Sequence, residues 1–232
     1  EDNILNLEST YNADLNQDGQ LGPAVQVEDS AGYGSNLTNY TGKGSLQATT
    51  STLYDRNLDI YEDDHILLNF TSNHDENTWA GTVFDRMGES YLTMSVLTYI
   101  IPGIPLLYNG QEYSLSKRLG FFEKDFIPKE NTELVEFYNT LGKIKRNNKA
   151  LHFSKETKFD IKNSIDDDIF ILERTLNDQS VLFISNLSNE SKSINHEIDG
   201  NYKNLQNGEL IKLSSKQNLD FNPWEYLLLK KL

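Results

Sequence analysis

The densest run of groups able to do chemistry is Thr71-Ser72-Asn73-His74-Asp75-Glu76-Asn77, with Trp79 just beyond it. Adjacent His74 and Asp75 offer an imidazole N–H donor and a carboxylate, which together could hold a sugar hydroxyl and stabilise positive charge developing on a ring. The same residue types also build turns whose Asn, Asp and Ser side chains satisfy neighbouring backbone groups, and both readings stand on residue types alone. A second cluster is Asn109-Gly110-Gln111-Glu112. Gln111 and Glu112 could touch a ligand, or they could brace the loops around them. Asp75 with Glu112 would match the two-carboxylate chemistry of glycosidases, but sequence does not measure their separation. A third candidate is Asp14, Asn16 and Asp18 followed by Gly19, the spacing at which oxygens at positions 1, 3 and 5 of a calcium loop wrap a hard cation. Val25 stands where the bidentate acid of position 12 belongs, and Glu28 and Asp29 lie too far on. This segment reads as a solvated turn or a weak calcium loop.

Elements must place these groups. Ile66–Phe70 is a compact apolar run bounded by polar clusters, the pattern of a buried strand, and the first cluster sits at its carboxyl end. Residues 89–101 are apolar enough for a buried helix, stopped by Pro102-Gly103. Ile104–Tyr108 is a second short strand ending in the second cluster. The order strand, loop, helix, strand implies parallel strands, an architecture that gathers functional loops at the carboxyl ends. A short helix is expected near residues 53–61. Another is expected over 131–147, where Leu134, Tyr138, Leu141 and Ile144 share a face, with Asn131 or Thr132 as cap. From residue 151 the pattern changes to short strands: Ile169–Thr175, the turn Asn177-Asp178, Val181–Leu187, Ile194–Ile198, the turn Asn207-Gly208 and Tyr226–Leu229. The expected divisions are 1–52, loop-rich extension or linker; 53–150, a β/α unit; and 151–232, an antiparallel β domain.

Composition narrows the function. With 21 Lys and Arg against 35 Asp and Glu, the formal charge is −14, a poor match for nucleic acid or an anionic membrane surface and a better one for a neutral ligand. No apolar run approaches the ~20 residues of a membrane span. The absence of Cys removes disulfides, thiolate zinc sites and Cys nucleophiles. No basic segment followed by an apolar one marks a signal peptide.

Four segments together resemble the α-amylase family of glycoside hydrolases, family 13: NFTSNHDENTW at 69–79, GTVFDRMG at 81–88, PGIPLLYNGQE at 102–112 and KRLGFFEKD at 117–125. The resemblance covers about residues 53–232 and implies the following. The fold is α/β plus all-β: the last two β/α units of a (β/α)8 TIM-type barrel, then a small antiparallel β-sandwich, with an irregular N-terminal extension. Ile66–Phe70 and Ile104–Tyr108 become barrel strands seven and eight. Asp75 is the carboxylate that stabilises the oxocarbenium-like transition state, His74 contacts the sugar at the cleavage point, Asn73 supports them, and Trp79 forms a sugar-stacking wall. Substrates are starch or maltodextrins, and the partner is an α-glucan or maltooligosaccharide. The family's nucleophile aspartate and acid glutamate, from strands four and five, have no counterpart in this sequence, so the chain is expected to be part of a barrel and inactive alone. The rival expectations are a glucan-binding module using Trp79, Phe121, Phe122 and Trp224, or a fragment with no function of its own. An acidic, Cys-free glucan hydrolase with a calcium-like loop fits an extracytoplasmic location.

Overall fold

The computed structural model describes residues 66–162, 166 and 168–232. The short helix expected near 53–61 and the calcium-like loop lie outside the described residues.

The chain starts with strand β1 (Leu68–Asn69), which pairs in parallel with β2 (Ile104–Pro105). The amides of Ile104 and Leu106 donate to Leu67 O and Asn69 O at 2.8 and 2.7 Å. Both strands are shorter than the apolar runs that announce them. Each has a single hydrogen-bonded neighbour among the described residues, so the ladder registers over two residues, and Ile66, Leu68, Ile104 and Leu107 stay exposed. The close approach also needs Gly103, whose φ is +119° and whose added Cβ would lie 2.4 Å from Leu67 O.

The two strands are joined through α1 (Val83–Met87) and α2 (Tyr91–Ile100). A reciprocal cap opens α1: Asp85 N donates to Thr82 Oγ1 at 3.2 Å and Thr82 N to Asp85 Oδ2 at 3.0 Å. Helix α2 is buried on nearly every side, which explains its almost uniformly apolar sequence. Helix α3 (Glu133–Asn147) buries Leu134, Tyr138, Leu141 and Ile144, the face expected from their spacing. Thr132 holds the cap position without a side-chain bond, while Asn131 Oδ1 accepts from Glu133 N at 3.0 Å. No helix among the described residues is long and apolar enough to cross a membrane.

Eight strands follow: β3 (Lys158–Lys162), β4 (Ile169–Leu176), β5 (Gln179–Asn186), β6 (Lys192–Asn195), β7 (Gly200–Asn204), β8 (Leu210–Leu213), β9 (Asn218–Phe221) and β10 (Tyr226–Lys231). Six form an antiparallel sheet in the order β3-β4-β5-β10-β7-β8, and β6 pairs with β9 as a separate ribbon. Strands β4 and β5 read as continuous apolar runs because both faces of the sheet are covered. Phe170, Leu172, Val181, Phe183 and Leu228 face a core shared with α1, α2 and α3. Ile169, Ile171, Leu182, Ile184 and Leu229 face a second core completed by Ile194 of β6 and Phe221 of β9. The expected sandwich is therefore unequal, six strands against two. The first core runs without a break across residue 150.

Candidate functional site

Past β1 the backbone enters a turn in which Asn73 acts twice. Its carbonyl accepts from Asn77 N at 2.9 Å, and its Oδ1 accepts from Glu76 N at 2.7 Å. The turn continues as one π-helical loop, Glu76–Ala80. That geometry leaves His74 and Asp75 exposed side by side, Nε2 to Oδ2 3.5 Å. Glu76, the other acid in the run, turns to the Arg86 guanidinium at 3.4 Å, and Arg86 also donates to Thr71 O at 2.7 Å and Gly81 O at 3.1 Å. Arg86 thus ties the loop to the strand end, and burial lowers its pKa from the ordinary value.

The second cluster braces rather than reaches outward. Gln111 is buried and its Nε2 donates to Thr71 Oγ1 and to the Tyr138 hydroxyl, each at 2.7 Å, linking the ends of β1 and β2 to α3. Glu112 Oε2 accepts from Gly110 N at 2.9 Å, closing its own loop. Burial pushes the Tyr138 phenol well above its usual range, so it stays a neutral partner for Gln111.

Residues 117–126 lie against the His74 loop. Asn77 Nδ2 donates to Lys117 O at 3.1 Å, Leu119 N donates to Asn77 Oδ1 at 2.8 Å, and Thr78 Oγ1 donates to Leu119 O at 3.0 Å. Arg118 donates to the carbonyls of Thr78 and Trp79. Asp125 gathers the far end, accepting from Lys117 Nζ and from the amides of Gly120 at 3.0 Å and Phe126 at 2.7 Å. These bonds hold its carboxyl down at about 2, the Lys117 bond being the largest cause. A carboxyl depressed in the fold contributes stability that is complete above the unfolded value near 4 and is lost as pH falls through about 2. The Gly120 and Phe126 amide resonances should therefore titrate with a midpoint near 2; a midpoint near 4 would show that the clasp does not exist in solution.

All four expected residues of the first cluster meet here: Asn73 inside the turn, His74 and Asp75 outward, Trp79 60% exposed at its end. The sequence reading did not single out Asn77, Arg118 or Asp125, which bond to loop backbone on both sides; the repeated Asn at 73 and 77 was the available signal. Trp224, expected among stacking rings, instead packs partly buried against the first core, its carbonyl accepting from Thr93 Oγ1. Among the described residues no group of three or more His, Asp or Glu is placed to hold a metal ion, and Asp14, Asn16 and Asp18 lie outside those residues.

No protein-family model matches the chain. A curated relative, Alpha-amylase 2 of Dictyoglomus thermophilum, is 28% identical over 162 residues, covering 64% of this chain and 27% of that protein. A noncanonic maltogenic α-amylase, AmyB of Thermotoga neapolitana, superimposes with a TM-score of 0.67 at 22% identity, over 82% of this chain and 47% of that one. The α-amylase of Geobacillus thermoleovorans, solved in complex with acarbose, gives 0.63 at 14% identity, over 88% and 46%. The chain is a relative of the α-amylase family of glycoside hydrolases, and its fold is that of the family's C-terminal region, part of the barrel followed by the β domain. It spans 27% of the length of the curated relative it matches.

Proposed function

We propose that this chain supplies the C-terminal portion of a retaining α-amylase-type glycosidase that hydrolyses α-1,4-glucosidic bonds in starch or maltodextrins. The observation that supports the reading best is the exposed His74–Asp75 pair, 3.5 Å apart at the carboxyl end of β1, in a chain related to amylases. In a retaining reaction a carboxylate attacks the anomeric carbon while an acid protonates the leaving oxygen, and the ring passes through an oxocarbenium-like state. Asp75 contributes negative charge facing that ring. His74 donates to a sugar hydroxyl, Asn73 holds both by fixing the turn, and Trp79 offers a face to the sugar. The nucleophile and the acid would come from polypeptide outside these 232 residues. Calcium belongs to this reading only as a weak ligand of Asp14, Asn16 and Asp18, since Val25 offers no oxygen pair. An extracytoplasmic location goes with it, supported by the acidic, Cys-free composition alone.

The reading separates binding from turnover. The isolated chain should release reducing sugar from starch no faster than buffer, because a stabilising carboxylate does nothing without a nucleophile and an acid. It should still bind maltoheptaose by calorimetry, about tenfold more weakly after His74→Ala. Sugar release that co-purifies with the chain would contradict the division of labour and promote Glu112, while undetectable binding would defeat the assignment of the site.

A further inference from the structure

Two strands, β6 and β9, cover the face of the sheet that holds the second core, and a ribbon of two cannot span a sheet of six. A cavity of about 500 Å³ remains between the sheet and the segment that leads from β6 to β7. Ile171 and Glu173 of β4, Tyr202 of β7 and Lys231 of β10 line it from the sheet, and residues 195–199 line it from the other side. Gly200 leaves room for the Tyr202 ring: its φ is +143°, and an added Cβ would lie 3.2 Å from the ring. None of these residues has a part in the chemistry at His74 and Asp75.

One group in the wall is left unanswered. His196 is only 5% exposed, and its Nδ1 accepts from Ile198 N at 3.1 Å. A ring nitrogen that accepts carries no hydrogen, so the neutral imidazole has its hydrogen on Nε2. Burial, outweighing the charge of Asp199, lowers the His196 pKa from its ordinary value and favours that neutral form. Nε2 is buried and has no hydrogen-bond partner among the described residues, which costs the donor its hydration with nothing in return. The charged groups nearby are better served. Lys162 lies between Asp160 and Glu173 at 2.9 and 2.8 Å, and Asp199 Oδ1 accepts from Ser215 N at 2.6 Å.

We propose that this cavity is a second, non-catalytic binding site, built by the β domain alone, for a neutral hydroxyl-rich molecule of one or two sugar rings, with an oxygen of the ligand accepting the His196 Nε2 hydrogen. Its volume falls within the range of small-molecule sites, which combine apolar surface with a few convergent polar groups. Charge selects the class. A cation would meet Lys162, Lys231 and the Nε2 hydrogen, while an anion would meet Glu173, Glu197 and Asp199 in a chain of formal charge −14. A neutral ligand avoids both, gives C–H surface to Ile171, Ile198 and the Tyr202 ring, and turns its hydroxyls to the charged rim. This site does not depend on the glucan reading of the His74 loop.

Titration of the 232-residue chain with maltose, followed by NMR of the Ile171 and Ile198 methyl groups and of the His196 ring nitrogens, tests this. Maltose should shift both methyls and the Nε2 resonance in the wild type, a readout that needs no variant. His196→Asn keeps an oxygen to accept Ile198 N two residues on but removes the Nε2 donor, and should weaken the affinity read at the methyls about tenfold. His74→Ala should leave these shifts unchanged, which separates this site from the one at the end of β1. No shift with millimolar maltose would refute the site, and shifts lost in His74→Ala would refute its separateness. Wild-type affinity in His196→Asn would refute the role of His196. Shifts produced by sodium acetate and not by maltose would overturn the class of ligand.

Discussion

In a complete enzyme that contains this chain, Asp75→Asn is expected to lower kcat about 10²–10³-fold while KM changes no more than a few-fold. Asn keeps the shape of the side chain and removes its charge. That charge matters little while the sugar is neutral and most when the ring becomes cationic, so the loss falls on the transition state. The fold should be unaffected. Among the described residues the Asp75 carboxylate meets only His74, at 3.5 Å, whereas its neighbour Glu76 is paired with Arg86 at 3.4 Å. Glu76→Gln should therefore act mainly through loop stability, which makes it the natural control. Steady-state kinetics on maltoheptaose, with thermal melts of both variants, distinguish the two. A near-normal kcat in Asp75→Asn would reduce Asp75 to a turn residue.

How much of this was legible in the residues varies with the range of the interaction. Helix α3 was readable because Leu134, Tyr138, Leu141 and Ile144 repeat at intervals that need no partner to be recognised. The β4–β5 hairpin was readable because its turn uses Asn177 at a φ of 52°, a conformation Asn tolerates better than most residues. Strands β3, β7, β8 and β9 were not, since sequences such as Lys158–Lys162 and Gly200–Asn204 are half polar and become strands through their neighbours in the sheet. At the site, His74 and Asp75 could be named from type and position. Asn77 and Arg118 could not, because their partners are backbone atoms about forty residues away, and Asp125 could not, because a Lys117 side chain and two loop amides meet it only once the loop has folded. The same limit hid the link between the helices and the β domain. An arginine in a strand reads as part of a solvated face, yet Arg174 is among the most buried side chains of the described residues.

Arg174→Met should destabilise the protein by about 3–5 kcal/mol, the largest effect expected of any single change outside the site. Helix α2 ends with carbonyls that have no partner inside the helix, and its C-terminus carries the negative end of the helix dipole. Two basic side chains meet them in matched fashion. Lys145 Nζ donates to Tyr99 O at 2.9 Å and Leu151 O at 3.0 Å, and Arg174 donates to the next carbonyl on each segment, Ile100 O at 2.8 Å and His152 O at 3.0 Å. Strand β4 is thereby fastened to the ends of α2 and of the segment after α3. Methionine fills the space but takes the donor from both carbonyls, and the Ile100 carbonyl is buried. The pair also has a pH signature. Burial, with a smaller part from the charge of Arg174, brings the Lys145 amine down to about 7 from an unfolded value of 10.5. Between those values the unfolded chain holds a proton that the native state has shed, so the Lys145 contribution to stability rises with pH across the window and is level below about 7. Removing the guanidinium removes one cause of the depression, so the native value moves up and the rise becomes shallower. Urea denaturation at pH 6, 8 and 10 measures both effects. A loss under 1 kcal/mol, or a pH slope equal to that of the wild type, would mean that the two side chains are not coupled and that packing alone joins the helices to the sheet.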